Sequence, residues 1–145
     1  MNDRETTGIS EGERYEASAD PGRLDIEFVC RSLARTYWAG NRPREKIEAS
    51  LRASLCFGLY DRTEGRQVGF ARVVTDGATF SWICDVFVDE SLRGCGLGKA
   101  LMTAVLSHPT VKSTPCALAT RDAHGLYEKF GFKRRVFMRR PADAA

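Results

Sequence analysis

The chain contains, at residues 85–104, the stretch DVFVDESLRGCGLGKALMTA, in which a loop with three glycines follows an apolar run. The loop spans Arg93 to Lys99, and apolar residues at helical spacing follow it. Glycine permits positive φ and close approach of a ligand to the backbone. Backbone N–H groups at a helix start favour an anion, and Arg93 and Lys99 add positive charge. The stretch therefore predicts a strand, a phosphate- or diphosphate-binding loop and a helix.

The spacing of the glycines separates this loop from two other phosphate-binding loops. The mononucleotide P-loop needs four residues between its glycines and then Lys-Ser/Thr. Here three residues lie between Gly94 and Gly98, and Ala100 follows Lys99. The dinucleotide loop needs a third glycine three positions after the second, where this chain has Lys99. Both alternatives fail on spacing.

Outward from the loop, the hydrophobic pattern predicts one mixed β-sheet flanked by helices. The predicted element order is β-α-α-β-β-β-α-β-α-β, an α/β (α+β) fold. Strands are predicted at 14–18, 56–60, 67–75, 79–88, 116–119 and 132–138. Helices are predicted at 26–40 and at 122–130; a further helix should begin at residue 43, and another should begin at residue 97 and end before residue 109. We expect a single domain over residues 13–141, preceded by a disordered tail over residues 1–12.

Composition excludes several classes of protein. The chain has 145 residues, of which 43% are hydrophobic and 28% charged, with a net charge of only +3. This balance does not suit a protein that coats polyanions. The sequence shows neither a membrane-length apolar segment nor a signal peptide, so the cytoplasm is the expected location. The five scattered cysteines predict reduced thiols, and without a CxxC pair no metal site is expected.

Two motifs carry a resemblance to a known family. Arg93, Gly96 and Gly98 match R/Q-x-x-G-x-G/A, and residues 123–132 match A-x-x-x-Y-x-x-x-G-F. In this order the motifs resemble those of the GCN5-related N-acetyltransferase (GNAT) family, over about residues 24–137. One departure is Thr120, where the family often has Asn, so a hydrogen bond to the pantetheine arm is expected to be weaker or to be made by another group. The alternative for the glycine loop at residues 93–99 is a simple strand-to-helix turn that binds no ligand.

The resemblance implies acetyl-CoA as co-substrate, with no metal, and direct attack by an amine in a ternary complex. It implies that backbone groups of Phe87 and Val88 serve the pantetheine and the developing oxyanion. The diphosphate would lie on the loop residues Arg93, Gly94, Cys95, Gly96, Leu97, Gly98 and Lys99. Cys95 would face the diphosphate, so no residue is expected to carry the acyl group covalently. Three alternatives stay open. The enzyme could use a different acyl-CoA or acylate a hydroxyl group, or the protein could be a sensor that binds acyl-CoA without turnover.

Two residues are candidates for catalysis. Tyr127 matches the tyrosine that protonates the departing thiolate in many relatives, and a phenol with a pKa near 10 can donate a proton at neutral pH. Its alternative role is packing of the last helix. Asp85 is predicted to deprotonate the amine or bind its charge, or to be a structural carboxylate. Strand alternation would place Asp85 on the face of Ile83 and Phe87.

The acceptor pocket is less defined by sequence. Tyr37 and Trp38, at the predicted end of the first helix, could form an aromatic wall for an ammonium group or simply pack there. We expect a small-molecule amine or a peptidyl amine as partner, no nucleic acid and no membrane, and the chain could form a homodimer. The basic residues at 133–135 and 139–140 are predicted to line a solvated strand face.

The residues that precede the last helix have alternative roles. Arg121 and Asp122 could touch the acceptor, although Asp122 is favoured as the cap of a helix beginning at Ala123. His124 could titrate near neutral pH but is predicted to face solvent.

Overall fold

The computed structural model describes residues 11–143, with side chains from residue 13 onward. The predicted tail, residues 1–12, lies outside the described residues except for residues 11 and 12, which begin a short helix. Within the described range the helices are α1 Glu11–Arg14, α2 Ile26–Leu33, α3 Arg44–Arg52, α4 Leu97–Ser107, α5 Pro109–Lys112 and α6 His124–Glu128. The strands are β1 Tyr15–Ser18, β2 Leu55–Asp61, β3 Arg66–Thr75, β4 Ser81–Val88 and β5 Cys116–Ala117.

The five strands form one sheet in the order β1-β2-β3-β4-β5. Neighbours are antiparallel except for β4 and β5, which run parallel because α4 and α5 connect them. The predicted mixed sheet with flanking helices is therefore confirmed, and β1 lies at one edge of it.

Two hydrophobic clusters pack on opposite faces of the sheet. One joins α4 to the sheet and includes the fully buried Leu101, Met102 and Val105. The other joins α2 and α3 to the sheet through Val29 and Ile47. Burying each such side chain contributes about 1.5–3 kcal/mol. The two layers therefore hold in place the sheet, the glycine loop that follows β4 and the segment that follows α2.

The predicted last strand, residues 132–138, is wrong, because residues 129–143 contain no strand. Val136 is 99% and Met138 96% exposed. The segment reads FKRRVFM, in which three basic residues precede three apolar residues. Since strand side chains alternate between faces, no register places the apolar residues on one side and the basic residues on the other. The basic residues at 133–135 and 139–140 are solvated, but they lie on no strand.

The first long helix also ends earlier than its apolar spacing predicts. α2 stops at Leu33 and not near residue 40. The Thr36 hydroxyl donates to the Leu33 carbonyl at 2.8 Å and accepts from the Ala39 amide at 3.1 Å. Such local side-chain bonds compete with helical ones and favour turns. Tyr37 therefore lies in the turns after α2.

Candidate active site

The glycine loop presents a row of free backbone donors at the start of α4. Gly96 caps the helix in the left-handed conformation, with φ 79°, and Gly94 has φ 88°. Among residues 11–143, no acceptor pairs with any of the backbone N–H groups of residues 94–99, and the first paired amide is that of Ala100, which donates to Gly96. The helix dipole adds partial positive charge at this end. An anion is the ligand that such donors favour.

The space in front of the loop is open. A Cβ placed on Gly94, Gly96 or Gly98 would meet no atom within 4 Å. Cys95 and Lys99 are exposed beside it. A diphosphate can therefore approach the amides without moving protein atoms, and the residues present fit the group that the loop was predicted to bind.

Arg93 connects this loop to the end of β4. Its Nε donates to the Val88 carbonyl at 3.3 Å. A pocket of about 210 Å³ lies on the α2 side of this contact and is lined by Phe87, Val88 and Arg93 among others. The loop and the predicted backbone site at Phe87 and Val88 are thus adjacent.

β4 and β5 separate towards the loop. The described ladder between them contains only Ser81↔Cys116 and Trp82↔Ala117, while β4 continues to Val88. Beyond Trp82 the edge of β4 that faces β5 is therefore open. An extended chain such as a pantetheine arm fits a gap of this kind, since it can use strand-like hydrogen bonds.

A bulge in β4 carries Asp85. Phe70 pairs with Phe87 and Arg72 with Cys84, so Ala71 of β3 alone lies opposite Asp85 and Val86 of β4. Asp85 has φ 54°, a conformation that is uncommon outside glycine. The extra residue corrects the predicted alternation: Ile83 packs in the cluster with α4, whereas Phe87 packs in the cluster with α2 and α3. Asp85 does not share one regular strand face with both.

The Asp85 carboxylate is buried and fully engaged. One oxygen accepts from Trp38 Nε1 at 2.9 Å, and the other accepts from Arg42 at 2.8 Å and Arg72 at 2.9 Å. Burial raises the pKa of the Asp85 carboxyl, but the hydrogen bonds and charges of Arg72 and Arg42 outweigh it, so that the net pKa is lowered. A carboxylate held in this way is a weak base.

The aromatic residues after α2 lie at the surface on this side. Tyr37 is 56% and Trp38 42% exposed, and their rings meet edge to face with centroids 4.9 Å apart. The Arg121 guanidinium stacks on Tyr37, with Cζ 3.7 Å from the ring centroid. These residues form an exposed aromatic wall next to Asp85, which we call the Tyr37–Trp38 wall.

Tyr127 lies on α6, half-buried against the cluster around α4. Burial raises the pKa of its phenol, and nearby Tyr37 and Asp122 raise that pKa further. The phenol therefore stays protonated well above neutral pH. Tyr127 also lines a groove of about 980 Å³ that follows β5. Its surroundings suit a proton donor, and its contact with Phe132, with ring centroids 6.0 Å apart, also suits packing.

Residues at the start of α6 differ from two expectations. Ala123, and not Asp122, occupies the N-cap position, so the predicted Asp122 cap is wrong. Thr120 takes part in the turn instead, because its hydroxyl accepts from the Ala123 amide at 3.0 Å. His124 is half-buried and lines the groove along β5, so it does not simply face solvent.

Sequence reasoning missed the two arginines that bind Asp85. Arg42 and Arg72 are 43 and 13 residues away from it in the chain. No local pattern marks either residue, since charged side chains are common at surfaces. Pairing at such separations becomes visible once the sheet and the turns after α2 are assembled.

Comparisons with known proteins assign this fold to a class of acyltransferases. The family model described as Acetyltransferase (GNAT) domain matches residues 52–134. The crystal structure of a GNAT-family protein from Xanthomonas campestris pv. campestris is 42% identical, covers 88% of this chain and 93% of its own, and superposes with a TM-score of 0.83. A GCN5-related N-acetyltransferase of Arabidopsis thaliana is 38% identical over 63% of this chain and 48% of its own length. A serotonin N-acetyltransferase of Oryza sativa subsp. japonica is 31% identical over 75% of this chain and 56% of its own.

The chain belongs to the GNAT acetyltransferase family. It spans about half of the length of the two plant relatives. Over residues 11–143, no helix is long and apolar enough to cross a membrane. In the same range, no group of three or more His, Cys, Asp or Glu side chains is arranged to hold a metal ion.

Proposed function

We propose that this protein is an N-acetyltransferase that transfers the acetyl group of acetyl-CoA directly to an amine. The observation that carries the proposal is the row of unpaired amides at residues 94–99, in front of open space and next to the gap between β4 and β5. Acetyl-CoA has both parts that this arrangement suits, a diphosphate and an extended arm ending in a thioester.

The chemistry assigns separate tasks to the chain. The amine nitrogen forms a bond to the thioester carbonyl carbon, the carbon–sulfur bond breaks, and the amine passes its proton to solvent water, which also returns a proton to the acid that protonates the departing sulfur. In this scheme, backbone groups of Phe87 and Val88 serve the arm and the carbonyl oxygen. Tyr127 donates its phenolic proton to the departing sulfur. Cys95, on the diphosphate loop, carries no acyl group in this scheme.

The acceptor is an amine next to the Tyr37–Trp38 wall. Named relatives differ in their acceptors, since one is a serotonin N-acetyltransferase and a relative in Glycine max is a histone acetyltransferase. A small amine and a peptidyl amine are therefore both candidates. The cytoplasm and a homodimer stay predictions for this chain, and two relatives are named as chloroplastic.

The proposal is tested by binding and turnover together. Acetyl-CoA at about a hundredfold excess over Kd should stabilise the fold by about 2.7 kcal/mol, measured as a rise in Tm. CoA release should then depend on an amine from a panel of arylalkylamines, amino sugars and lysine peptides, with alcohols and longer acyl-CoAs as comparisons. Cys95→Ala should retain turnover, and trapping labelled acetyl on Cys95 would refute direct transfer.

The main alternative is an acyl-CoA sensor with the same fold. A sensor would show the rise in Tm but no amine-dependent CoA release across the panel. Absence of any rise in Tm with millimolar acetyl-CoA would refute both functions, because both need the loop to bind the diphosphate.

A further inference from the structure

We propose that Asp85 is a positioning residue, which anchors the Tyr37–Trp38 wall of the acceptor pocket to β4 and does not act as the base. This inference rests on the proposed function for its reference to an acceptor. The anchoring of Trp38 by Asp85 is a property of the folded protein and does not depend on whether the protein acetylates an amine.

The wall sits on a segment with little regular structure of its own. Residues 34–43 form turns between α2 and α3. Their backbone bonds are local, as in the bond from the Arg42 amide to the Ala39 carbonyl at 3.0 Å. Ala39 is buried against the sheet and gives the segment one apolar contact. A turn segment of this kind needs additional tethers to hold exposed side chains in one orientation.

Asp85 supplies those tethers. Among residues 13–143, the side-chain hydrogen bonds and ion pairs from residues 36–43 to the sheet end on this carboxylate. Trp38 binds one carboxylate oxygen, and Arg42 binds the other. Arg72, on β3, donates from Nε to the second oxygen, and its Nη1 donates to the Ser54 hydroxyl at 3.1 Å. The carboxylate thus links the turns after α2, the bulge of β4 and the start of β2.

The bulge explains how the carboxylate reaches the wall. In a regular strand the residue at this position would follow the alternation of Ile83, which packs towards α4. The positive φ of Asp85 turns the side chain to the other side, where it is only 4% exposed. A buried carboxylate is costly without partners, and here three donors satisfy it. The bulge and the tethers therefore depend on one another.

The same contacts make Asp85 unsuited to proton abstraction. Taking a proton from the amine would neutralise the carboxylate and leave two guanidinium groups without their counter-charge. Its effect on the reaction must then pass through Trp38, whose ring is fixed by the indole N–H bond while 42% of the residue stays exposed to an acceptor. Loss of the tether should disturb acceptor binding and leave the chemical step largely intact.

The anchoring is tested first by fluorescence, without any turnover. The chain has two tryptophans, so Trp82→Phe leaves Trp38 as the single reporter. In that background, Asp85→Asn should increase acrylamide quenching of Trp38 by roughly twofold and lower its anisotropy, because a charged partner contributes more than a neutral one. Circular dichroism verifies that both proteins are folded. Unchanged quenching and anisotropy in folded Asp85→Asn would overturn the anchoring.

Kinetics then distinguish positioning from base catalysis. With a positioning role, Asp85→Asn should raise the acceptor KM by roughly tenfold, the order expected for a hydrogen bond to a charged group, while kcat changes by less than about fivefold. The acidic limb of the pH profile, over which kcat/KM falls as pH decreases, should persist in this variant. A base role predicts a loss in kcat of roughly 10²–10⁴-fold and loss of that limb.

Trp38→Phe provides a second variant that keeps Asp85 and both arginines. It removes the indole N–H and retains an aromatic ring, so its acceptor KM should rise similarly. The double variant should show little further effect, because both changes break one tether. Additive effects would overturn the inference.

If the wild-type protein acetylates no amine, the proposed function fails and so does the acceptor part, whereas the quenching result still decides the anchoring.

Discussion

At the scale of single residues, Tyr127 is the group on which the proposed chemistry depends most. It is half-buried on α6, and burial raises the pKa of its phenol, with Tyr37 and Asp122 as further causes. A raised pKa keeps the proton donor protonated over a wider pH range. The nearby phenol of Tyr37, more exposed and on the acceptor side, offers a matched comparison.

Tyr127→Phe should lower kcat by roughly 10²–10⁴-fold, the usual contribution of a positioned general acid. The Kd for acetyl-CoA should change little, because one neutral hydrogen bond contributes about 0.5–1.5 kcal/mol. The wild-type high-pH limb of kcat should lie above the ordinary tyrosine pKa and should flatten in the variant. Tyr37→Phe removes a neighbouring hydroxyl and should keep kcat within about fivefold. Near-normal kcat in Tyr127→Phe would make Tyr127 a packing residue.

At the scale of elements, the start of α4 combines a left-handed cap with unpaired amides. Gly96 has φ 79° and no atom within 4 Å of an added Cβ. Gly65, in the turn between β2 and β3, has φ 67° and equally open space. Substitution of either glycine should therefore cost a similar backbone strain, about 1–2 kcal/mol, but only Gly96 lies at the proposed diphosphate site.

Gly96→Asp should abolish acetyl-CoA binding in a folded protein, because it adds a side chain and a negative charge in front of the amides. Gly65→Asp should lose comparable stability and bind acetyl-CoA normally. Isothermal titration and urea unfolding of both variants separate binding from stability. Normal acetyl-CoA affinity of Gly96→Asp would show that this loop is not the diphosphate site.

At the scale of the whole molecule, buried carboxylates paired with arginines connect distant parts of the chain. Asp61, at the end of β2, is 1% exposed and accepts from Arg14 at 3.0 and 2.8 Å. It also accepts from the amides of Thr63 and Glu64. The Arg14 hydrogen bonds, against the cost of burial, lower the pKa of the Asp61 carboxyl. Asp61 thus ties the end of α1 to the turn after β2.

Asp61→Asn should lower the free energy of unfolding at pH 7 by roughly 2 kcal/mol, measured by urea denaturation. A lowered folded-state pKa contributes stability above the unfolded-state pKa, near 3.9, and loses it as pH falls through the folded-state value. The difference in the free energy of unfolding between wild type and variant should therefore shrink as pH falls below about 4. A difference that stays constant down to pH 2 would contradict a charge-dependent role.

Much of the site was predictable because its chemistry is local. The glycines at 94, 96 and 98 are close in sequence, and a helix that begins beside them must leave its first amides unpaired. The strand–loop–helix order, the mixed sheet and the family motifs followed from such patterns. Tyr127 was identified by its motif, and its role as an acid stays a prediction.

The sequence by itself determined the glycine-rich start of α4 and the α/β architecture of this protein, since both depend on residues a few positions apart. The tertiary structure decided which residues surround Asp85, and it decided that residues 132–138 form no strand. One extra residue in the β4 bulge placed Ile83 and Phe87 in different clusters, and it turned Asp85 towards Arg42 and Trp38. Alternation along a strand cannot anticipate a bulge or the charges that meet it from distant segments, because both arise from packing between elements.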